Sequence, residues 1–333
     1  MTHAPRSGSV ALSRFDRGRC GRLPRFRALV VAGAAVLAAC QARDSTAGPS
    51  EYEPFPSDER LLDADRAFAR ASEERGADAW AEIWAEGGVL DRGADAPAVG
   101  PDEVRQAVAA TVERLRWRPA SSGVLWPDSL GYTVGRWWME PVQSGAAADT
   151  LRYLTVWQRS GDAWKVALDA ALPAGDTVRG ARTFDFWLGD WALEQRIWSG
   201  RGDAFEYYGG SSRIRAVEGG GALAESFRGV VRFFWSGMEQ PERIRGASVR
   251  VYDPALSEWR IYWVDTTSRS FDRPFRGGFR GGEGEFTVAD EAAGRARRIR
   301  FQPVADDAVD WSLELRSGDQ DAWRSLWEID FRR

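Results

Sequence analysis

The aromatic hairpin between residues 251 and 265 decides the fold of the second half of the chain. It reads Val251-Tyr252-Asp253-Pro254 and, after a short turn, Trp259-Arg260-Ile261-Tyr262-Trp263-Val264-Asp265. The second arm alternates with a period of two residues, which is the side-chain periodicity of a β-strand. Its two faces carry alternate residues: Trp259, Ile261 and Trp263 on one, and Arg260, Tyr262 and Val264 on the other. The sequence leaves open which face points inward.

Short β runs of the same kind recur on both sides of this hairpin, and no convincing helical period interrupts them. They are Trp191–Trp198, Ser211–Val217, Ala222–Val230, Val231–Trp235, Ala247–Tyr252, Trp259–Val264, Gly284–Val288, Arg297–Val304, Trp311–Arg316 and Trp323–Phe331. About ten strands in about 150 residues predict one closed antiparallel barrel over 183–333, because closure removes exposed edge strands.

The region before the barrel, 57–172, shows helical periods first and strand periods later. An apolar stripe predicts a first helix with Ser57 as its N-cap and Gly76 as its stop. A short second helix is predicted over 79–84, ending at Gly87-Gly88, and a third begins at Gly100 with its apolar face continuing to Leu115. After residue 119 the period becomes two. Three helices followed by antiparallel strands predict an α+β domain, joined to the barrel by a linker at 173–182.

The N-terminus reads as an export signal that ends at a cysteine. Seven arginines and one aspartate precede an apolar run from Ala28 to Val36, which is too short for a permanent transmembrane helix. Leu37-Ala38-Ala39-Cys40 then resembles a bacterial lipoprotein signal. That resemblance implies cleavage after residue 39, lipidation of Cys40, a flexible tether over 40–56, and anchoring in the cell envelope, with the periplasmic side of the outer membrane as the expected location. A plain secretory signal is the alternative.

Charge and residue usage exclude several classes of function. The chain has 45 basic and 49 acidic residues, and removal of 1–39 leaves 38 and 48, a net charge of −10. This balance argues against nucleic acid as a partner. The only histidine is His3 and the only other cysteine is Cys20, both in the predicted signal. A mature chain without them has no histidine-based triad, histidine-bound metal or disulfide, so we expect no cofactor and no metal site.

The domain at 57–172 resembles the SnoaL-like, nuclear-transport-factor-2-like family. The resemblance rests on three stretches and a closing hairpin: Leu62-Asp63-Ala64-Asp65-Arg66-Ala67-Phe68, Val99-Gly100-Pro101-Asp102-Glu103, Gly131-Tyr132-Thr133-Val134-Gly135, and Thr155-Val156-Trp157-Gln158-Arg159 with Trp164-Lys165-Val166-Ala167-Leu168-Asp169. It implies a curved sheet wrapped on three helices around a conical pocket. Some relatives are isomerases, cyclases or dehydratases and many only bind. The resemblance also leaves a homodimer through the sheet open.

The domain at 183–333 resembles the lipocalin-like, or calycin, barrels of exported bacterial proteins. Phe184-Asp185-Phe186-Trp187-Leu188-Gly189-Asp190-Trp191 at its start and the hairpin at 251–265 carry the resemblance. It implies that Trp191 plugs the closed end of the barrel and that a late arginine, Arg332, stacks on it. Nitrobindin-type barrels of this shape hold haem through a histidine, and residues 183–333 contain none.

Two groups of side chains are candidates for function. An isomerase needs a general base and an oxyanion donor, and the candidates are Asp91 or Asp169 as base and Tyr132 as donor. Packing roles for these residues are the simpler alternative. The candidates for contacts with an apolar or aromatic ligand are aromatic side chains of both domains: Trp84, Trp138, Trp157, Trp259, Tyr262 and Trp263.

Three functions compete on this evidence. The favoured one is a membrane-anchored lipoprotein that binds a small apolar or aromatic molecule non-covalently in one or both domain cavities. Tryptophan is abundant, with 17 residues, and suits such cavities. An isomerase or cyclase activity in 57–172 is the second, and a structural or assembly role with filled cavities is the third. The sequence favours binding over catalysis.

Overall fold

The computed structural model describes residues 52–93, 96–140, 150–173, 179–232, 240–266, 273–290, 294–318 and 322–333. The predicted signal, Cys40 and most of the tether lie outside the described residues, as do residues 174–178 of the predicted linker. Residues 48–333 form one compact unit. Within it, an α+β region is followed by a closed antiparallel barrel, as the sequence predicts.

The α+β region, which we call the cone, packs three helices on one face of a six-stranded sheet. Its elements in chain order are α1 (Glu59–Arg75), α2 (Ala77–Ile83), β1 (Trp84–Asp91), β2 (Ala98–Val99), α3 (Gly100–Val108), β3 (Leu115–Trp126), β4 (Leu130–Met139), β5 (Leu151–Ser160) and β6 (Ala163–Leu172). The strand order is β2-β1-β6-β5-β4-β3. All neighbours are antiparallel except β1 and β6.

The helix boundaries differ from the sequence prediction at several points. The N-cap of α1 is Asp58, whose carboxylate accepts the Arg60 amide, and Ser57 lies one residue earlier. The stop at Gly76 is as predicted, with a positive φ of 58° that glycine adopts without strain. The third helix ends at Val108, and Leu115 already belongs to β3. The apolar positions from Val104 to Leu115 therefore belong to a helix, a turn and the start of a strand. Hydrophobic periodicity alone does not show where the helix ends and the strand begins.

Strand β1 is the main element that the sequence did not predict in the cone. The pair Gly87-Gly88 reads as the end of a helix, but both residues lie inside this strand. A Cβ built on Gly88 would lie 2.6 Å from the Val166 carbonyl oxygen of β6. Gly88 therefore allows β1 and β6 to approach closely, which a residue with a side chain would prevent. Glycine within a strand often marks such a close approach of two backbones.

The barrel has ten strands, each paired with the next, and the last pairs with the first. They are β7 (Gly189–Trp198), β8 (Phe205–Ala216), β9 (Ala222–Val231), β10 (Glu242–Asp253), β11 (Glu258–Asp265), β12 (Phe275–Arg280), β13 (Glu283–Asp290), β14 (Arg295–Ala305), β15 (Ala308–Ser317) and β16 (Arg324–Arg332). Val231 ends β9, so the separate run predicted at Val231–Trp235 is wrong at its start. The arginine- and glycine-rich segment from Phe275 forms β12.

The structure decides the orientation of the hairpin at 251–265. Trp259, Ile261 and Trp263 of β11 belong to the interior core of the barrel. The alternate residues Tyr262 and Val264 point outward and pack on the cone in one shared apolar cluster. In that cluster, Leu154, Val156 and Leu168 of the cone sheet meet Val249, Val251 and Val264 of the barrel. The cone sheet therefore has its helices on one face and the barrel on the other.

The first residues of the barrel close one of its ends. Phe184 and Trp187 are fully buried, and Trp187 lies beside Trp191 with ring centroids 5.8 Å apart. The arginine over Trp191 is Arg333, at 4.2 Å from the ring centroid. The expectation of Arg332 was wrong, because that residue follows the inward Phe331 and forms an ion pair with Asp310 instead.

Candidate functional site

The cone encloses a small pocket between α1 and the helix-facing side of the sheet. This cone pocket is lined by Phe68, Trp80, Arg92, Leu115, Trp117, Trp137, Tyr153, Thr155 and Asp169. The space open to the centre of a water molecule is about 10 Å³, which is what one water requires. A larger ligand would have to displace side chains.

Asp65 lies behind this pocket and is almost fully enclosed. Its Oδ2 accepts hydrogen bonds from Thr133 Oγ1 at 2.6 Å and from Tyr153 Oη at 2.9 Å, and its Oδ1 accepts one from Trp117 Nε1 at 2.7 Å. We call these four residues the Asp65 cluster. Burial raises the pKa of the Asp65 carboxyl to about 6, and the three hydrogen bonds oppose that rise. The carboxyl therefore titrates close to neutral pH.

Asp169 is the second carboxylate of the cone pocket. Its Oδ2 accepts a hydrogen bond from Thr155 Oγ1 at 2.7 Å, and its Oδ1 lies 3.2 Å from an Arg92 nitrogen. The Arg92 guanidinium also lies over Trp80 and Trp137, at 5.6 and 5.5 Å from the ring centroids. The Arg92 side chain is 30% exposed and also contacts these rings. It therefore lies between the pocket and solvent.

The barrel encloses a larger interior space, which we call the barrel cavity. Its lining is mostly apolar and aromatic: Trp187, Glu225, Phe227, Ser248, Arg250, Ile261, Trp263, Ile299, Phe301, Trp311, Trp327, Ile329 and Phe331. The space open to the centre of a water molecule is about 40 Å³. One water needs roughly 10–15 Å³, so this cavity has room for more than one small group. All lining residues are buried except Trp311, which is half-buried.

One ion pair lies in the wall of the barrel cavity. Arg250 Nη2 donates to Glu225 Oε2 at 2.9 Å, and both side chains are at most 5% exposed. The other oxygen of Glu225 accepts a hydrogen bond from Ser212 Oγ at 2.6 Å. The guanidinium lies 5.5 to 5.7 Å from the ring centroids of Phe184, Trp187 and Phe301. Its Nε and Nη1 have no hydrogen-bond partner.

A third polar cluster lies where the cone meets the barrel. Asp91, at the end of β1, accepts hydrogen bonds from Arg260 Nη1 at 2.8 Å and from Tyr262 Oη at 2.7 Å. Its side chain is fully buried. Burial and the charge of Asp91 raise the pKa of Tyr262 well above its usual range, so this phenol stays protonated and donates. Arg260 also pairs with Asp253.

The structure separates the three residues considered for catalysis. Asp169 lines the cone pocket. Asp91 lies on the opposite face of the sheet, because its register neighbour in β6 is Ala170 and not Asp169. Tyr132 also lies on the barrel-facing side, in the cluster shared by cone and barrel, where burial raises the pKa of its phenol to about 12. No single pocket brings the three together in the described part of the chain.

The six aromatic candidates fall into different environments. Trp263 lines the barrel cavity, while Trp259 donates from its Nε1 to Thr183 Oγ1 at 2.8 Å and packs on Phe184. Trp84 stacks on Trp80, with ring centroids 5.5 Å apart, and Trp157 is fully buried in the cone core.

The remaining two aromatic candidates lie outside both interiors. Tyr262 is part of the cluster around Asp91. Trp138 is half-buried in an open groove of the cone surface, which it shares with Arg118, Pro119, Ala120, Arg136 and Thr150.

Sequence reasoning missed the charged residues that distinguish the two interiors. Asp65 stands in the apolar stripe of the first helix, and a carboxylate at such a position is a usable signal of a buried polar cluster. Glu225 and Arg250 lie at inward positions of neighbouring barrel strands, where Glu225 faces Ser248 in the register. The strand registers needed to bring them together are not readable from the sequence.

Neither a metal cluster nor a membrane-spanning helix is found in the described residues. No group of three or more histidine, cysteine, aspartate or glutamate side chains there is arranged to hold a metal ion. None of the described helices has the length and apolar character needed to cross a bilayer.

Comparison with known proteins gives structural neighbours for the N-terminal part. No protein-family model matches the sequence, and no curated protein matches it. An NTF-2 like protein of unknown function from Shewanella oneidensis is 16% identical over 34% of this chain and 96% of its own, with a TM-score of 0.30.

Two further neighbours are of the same kind. An NTF2-like protein with a cystatin-like fold from Novosphingobium aromaticivorans is 16% identical over 37% of this chain and 85% of its own, with a TM-score of 0.31. A ketosteroid isomerase-like protein from Erwinia carotovora is 16% identical over 34% and 92%, with a TM-score of 0.28. At such values these neighbours say nothing about the activity of this chain.

Proposed function

We propose that this protein binds a compact apolar or aromatic molecule non-covalently in the barrel cavity, as a lipoprotein anchored through Cys40 to the bacterial envelope. The observation that carries the binding proposal is the cavity itself, an indole-walled space of about 40 Å³ that contains a buried ion pair. Ligand sites are typically apolar enclosures with a few placed polar groups. The anchor rests on the sequence of residues 28–40 alone.

The size of the barrel cavity limits the ligand. Sites for drug-sized molecules measure about 300–1,000 Å³, far more than this cavity offers. A ligand that fits without large rearrangement therefore has only a few non-hydrogen atoms. It would enter past Trp311, the half-buried member of the lining, which packs edge-on against Trp327 at 5.2 Å.

A titration of the full chain with small neutral and charged compounds tests this function. The readouts are the melting temperature and the indole N–H signals in a nitrogen–proton correlation spectrum. Ile261→Phe adds volume inside the cavity and is expected to abolish binding. Val304→Phe, at a position 59% exposed on the same barrel, is the control. If no compound shifts either readout, or if Ile261→Phe binds like the control, the proposal is wrong and the structural role is favoured.

Proton transfer in the cone pocket is the second candidate function. It is favoured by the carboxyl of Asp65, whose pKa of about 6 suits acid–base work near neutral pH. Asp169, in the pocket, is one of the two base candidates that the sequence offered, and Asp91 is the other. Exchange of α-protons for deuterium in a series of ketones, followed by NMR, tests for it. Asp65→Asn and Asp169→Asn are expected to abolish exchange, and Asp91→Asn and Tyr132→Phe to retain it. Equal exchange with and without protein removes this candidate.

A homodimer through the cone sheet also remains a proposal. The barrel covers much of the sheet face opposite the helices in the shared apolar cluster. A dimer through the sheet would therefore have to use the uncovered part of that face, around Trp138. Sedimentation of the full chain over a concentration series tests it, and Trp138→Glu is expected to prevent association if this surface is used.

A further inference from the structure

We infer that the compact, otherwise apolar ligand of the barrel cavity carries a carboxylate, held by the unpartnered nitrogens of Arg250. This inference rests on the proposed function, because it names the chemical class that the same cavity takes. Arg250 is 3% exposed and contributes to the cavity wall. Of its three nitrogens, only Nη2 has a hydrogen-bond partner, and Nε and Nη1 have none.

The polar groups of the cavity wall that lack partners are hydrogen-bond donors, so they suit a ligand that brings acceptors. Trp187 Nε1, which also belongs to the lining, is buried without a partner. Both oxygens of Glu225 are already used, by Arg250 and by Ser212. A buried N–H without an acceptor is costly, so a bound molecule that brings acceptor oxygens recovers that cost. A carboxylate carries two such oxygens and no donor.

Charge favours an anion over a neutral acceptor at this position. Burial lowers the pKa of the Arg250 guanidinium even though Glu225 opposes the shift, so one carboxylate does not fully offset the desolvation of this cation. The three aromatic rings around the guanidinium make cation–π contacts with it, which are weaker than an ion pair. A second carboxylate would make charge-assisted hydrogen bonds, which are about twice as strong as neutral ones.

Cavity size and the aromatic wall define the rest of the molecule. A cavity of about 40 Å³ suits a short aliphatic carboxylate such as acetate or propionate. The ceiling on affinity per atom limits a ligand of about five non-hydrogen atoms to a Kd in the micromolar range or weaker. Titrations must therefore cover micromolar to tens of millimolar concentrations.

The experiment compares carboxylates with neutral molecules of the same shape on the full chain. Propionate and acetate are titrated against propionamide and acetamide at constant ionic strength, with sodium chloride as a separate arm. Calorimetry gives the Kd, and the indole N–H signal of Trp187, assigned through Trp187→Phe, reports on the site. We expect the carboxylates to bind at least about tenfold more tightly than the amides, and chloride not to compete.

Two variants isolate the role of Arg250: one keeps its charge and removes that of Glu225, and the other removes both charges. Glu225→Gln keeps Arg250 and removes the competing anion, so it is expected to bind carboxylates more tightly than the natural chain. Arg250→Met combined with Glu225→Gln removes both charges and is expected to lose the preference for carboxylates. Arg300→Met, at a barrel arginine 41% exposed, is the control and is expected to bind like the natural chain.

The titrations distinguish failure of the carboxylate inference from failure of the proposed function. Equal binding of carboxylates and amides, or a preference that survives in the double variant, overturns the carboxylate inference and leaves the proposed function standing. Chloride binding as tightly as propionate makes the site a simple anion site and also overturns it. No binding of carboxylates, together with no binding of any neutral compound, overturns the proposed function itself.

Discussion

Asp65 in the cone and Arg250 in the barrel are both charged groups buried among aromatic rings, but their hydrogen bonds are completed to different degrees. In the cone, Asp65 receives hydrogen bonds from Thr133, Trp117 and Tyr153, and the adjacent pocket has room for one water. In the barrel, Arg250 uses one nitrogen and leaves two without acceptors beside a cavity about four times larger. A completed polar cluster indicates a structural role, whereas an incomplete one beside open space indicates a ligand.

The largest expected effect is the loss of the Asp65 carboxylate. Asp65→Ala leaves the donors of Thr133, Trp117 and Tyr153 without their acceptor in the core, and it also creates a small cavity. We expect a loss of about 4 kcal/mol in the free energy of unfolding, measured by urea denaturation. Asp63→Ala on the same helix, where the side chain is 68% exposed, is the control. A difference below about 1 kcal/mol between the two variants would show that the cluster contributes little.

The pH dependence of stability tests the same cluster more finely. The pKa of Asp65 in the folded chain, about 6, lies above the ordinary value of 3.8. The folded state therefore binds this proton more tightly than the unfolded state, and its stabilising effect is present at low pH and lost as pH rises through 6. Relative to Asp65→Asn, the natural chain is expected to gain about 2.4 kcal/mol between pH 7 and pH 4.

The difference between the two chains is the quantity to measure, because the other carboxylates titrate equally in both. Urea denaturation at several pH values gives it. A difference that stays constant, or that changes in the opposite direction, would contradict the raised pKa of Asp65.

The contact between cone and barrel gives an intermediate case. Tyr262 donates to the buried Asp91 across the two regions at 2.7 Å. Tyr262→Phe removes this hydrogen bond to a charged acceptor and keeps the ring, so a loss of about 2 kcal/mol is expected. Tyr207→Phe, at a position 75% exposed, is the control. If the two variants have the same unfolding midpoint, the hydrogen bond does not help to join the two regions.

Local patterns in the sequence predicted the fold class, and what they missed depends on long-range register. The period-two runs gave the barrel, and the helical stripes gave the order of helices before strands. Strand β1 was missed because Gly87-Gly88 is a usual helix stop, and only its closeness to Val166 explains glycine there. Asp91 and Asp169 were both considered as the base, but they lie on opposite faces of the sheet. Asp169 is paired with Leu90, and successive residues of a strand such as Leu90 and Asp91 point to opposite faces.

The same reason explains why the candidate site in the barrel was only half predicted. The abundance of tryptophan indicated aromatic cavity walls, and Trp263 does line the barrel cavity. Arg250 and Glu225 are 25 residues apart in the chain and meet only through the pairing of β9 with β10. Nothing local to either residue marks it as buried, since arginine and glutamate are usually exposed.

The smallest expected effect is the removal of the whole ion pair from the barrel. Replacing both charges by residues of similar volume, as in Arg250→Met with Glu225→Gln, is often neutral or stabilising, because the desolvation of two ions offsets their attraction. We expect a change within about 1 kcal/mol in the free energy of unfolding, measured beside Asp65→Ala under the same conditions. A loss as large as that of Asp65→Ala would mean that the pair is needed for folding. The contrast between a completed cluster in the cone and an incomplete one in the barrel would then no longer distinguish a structural interior from a binding one, and a ligand would have to be shown by titration alone.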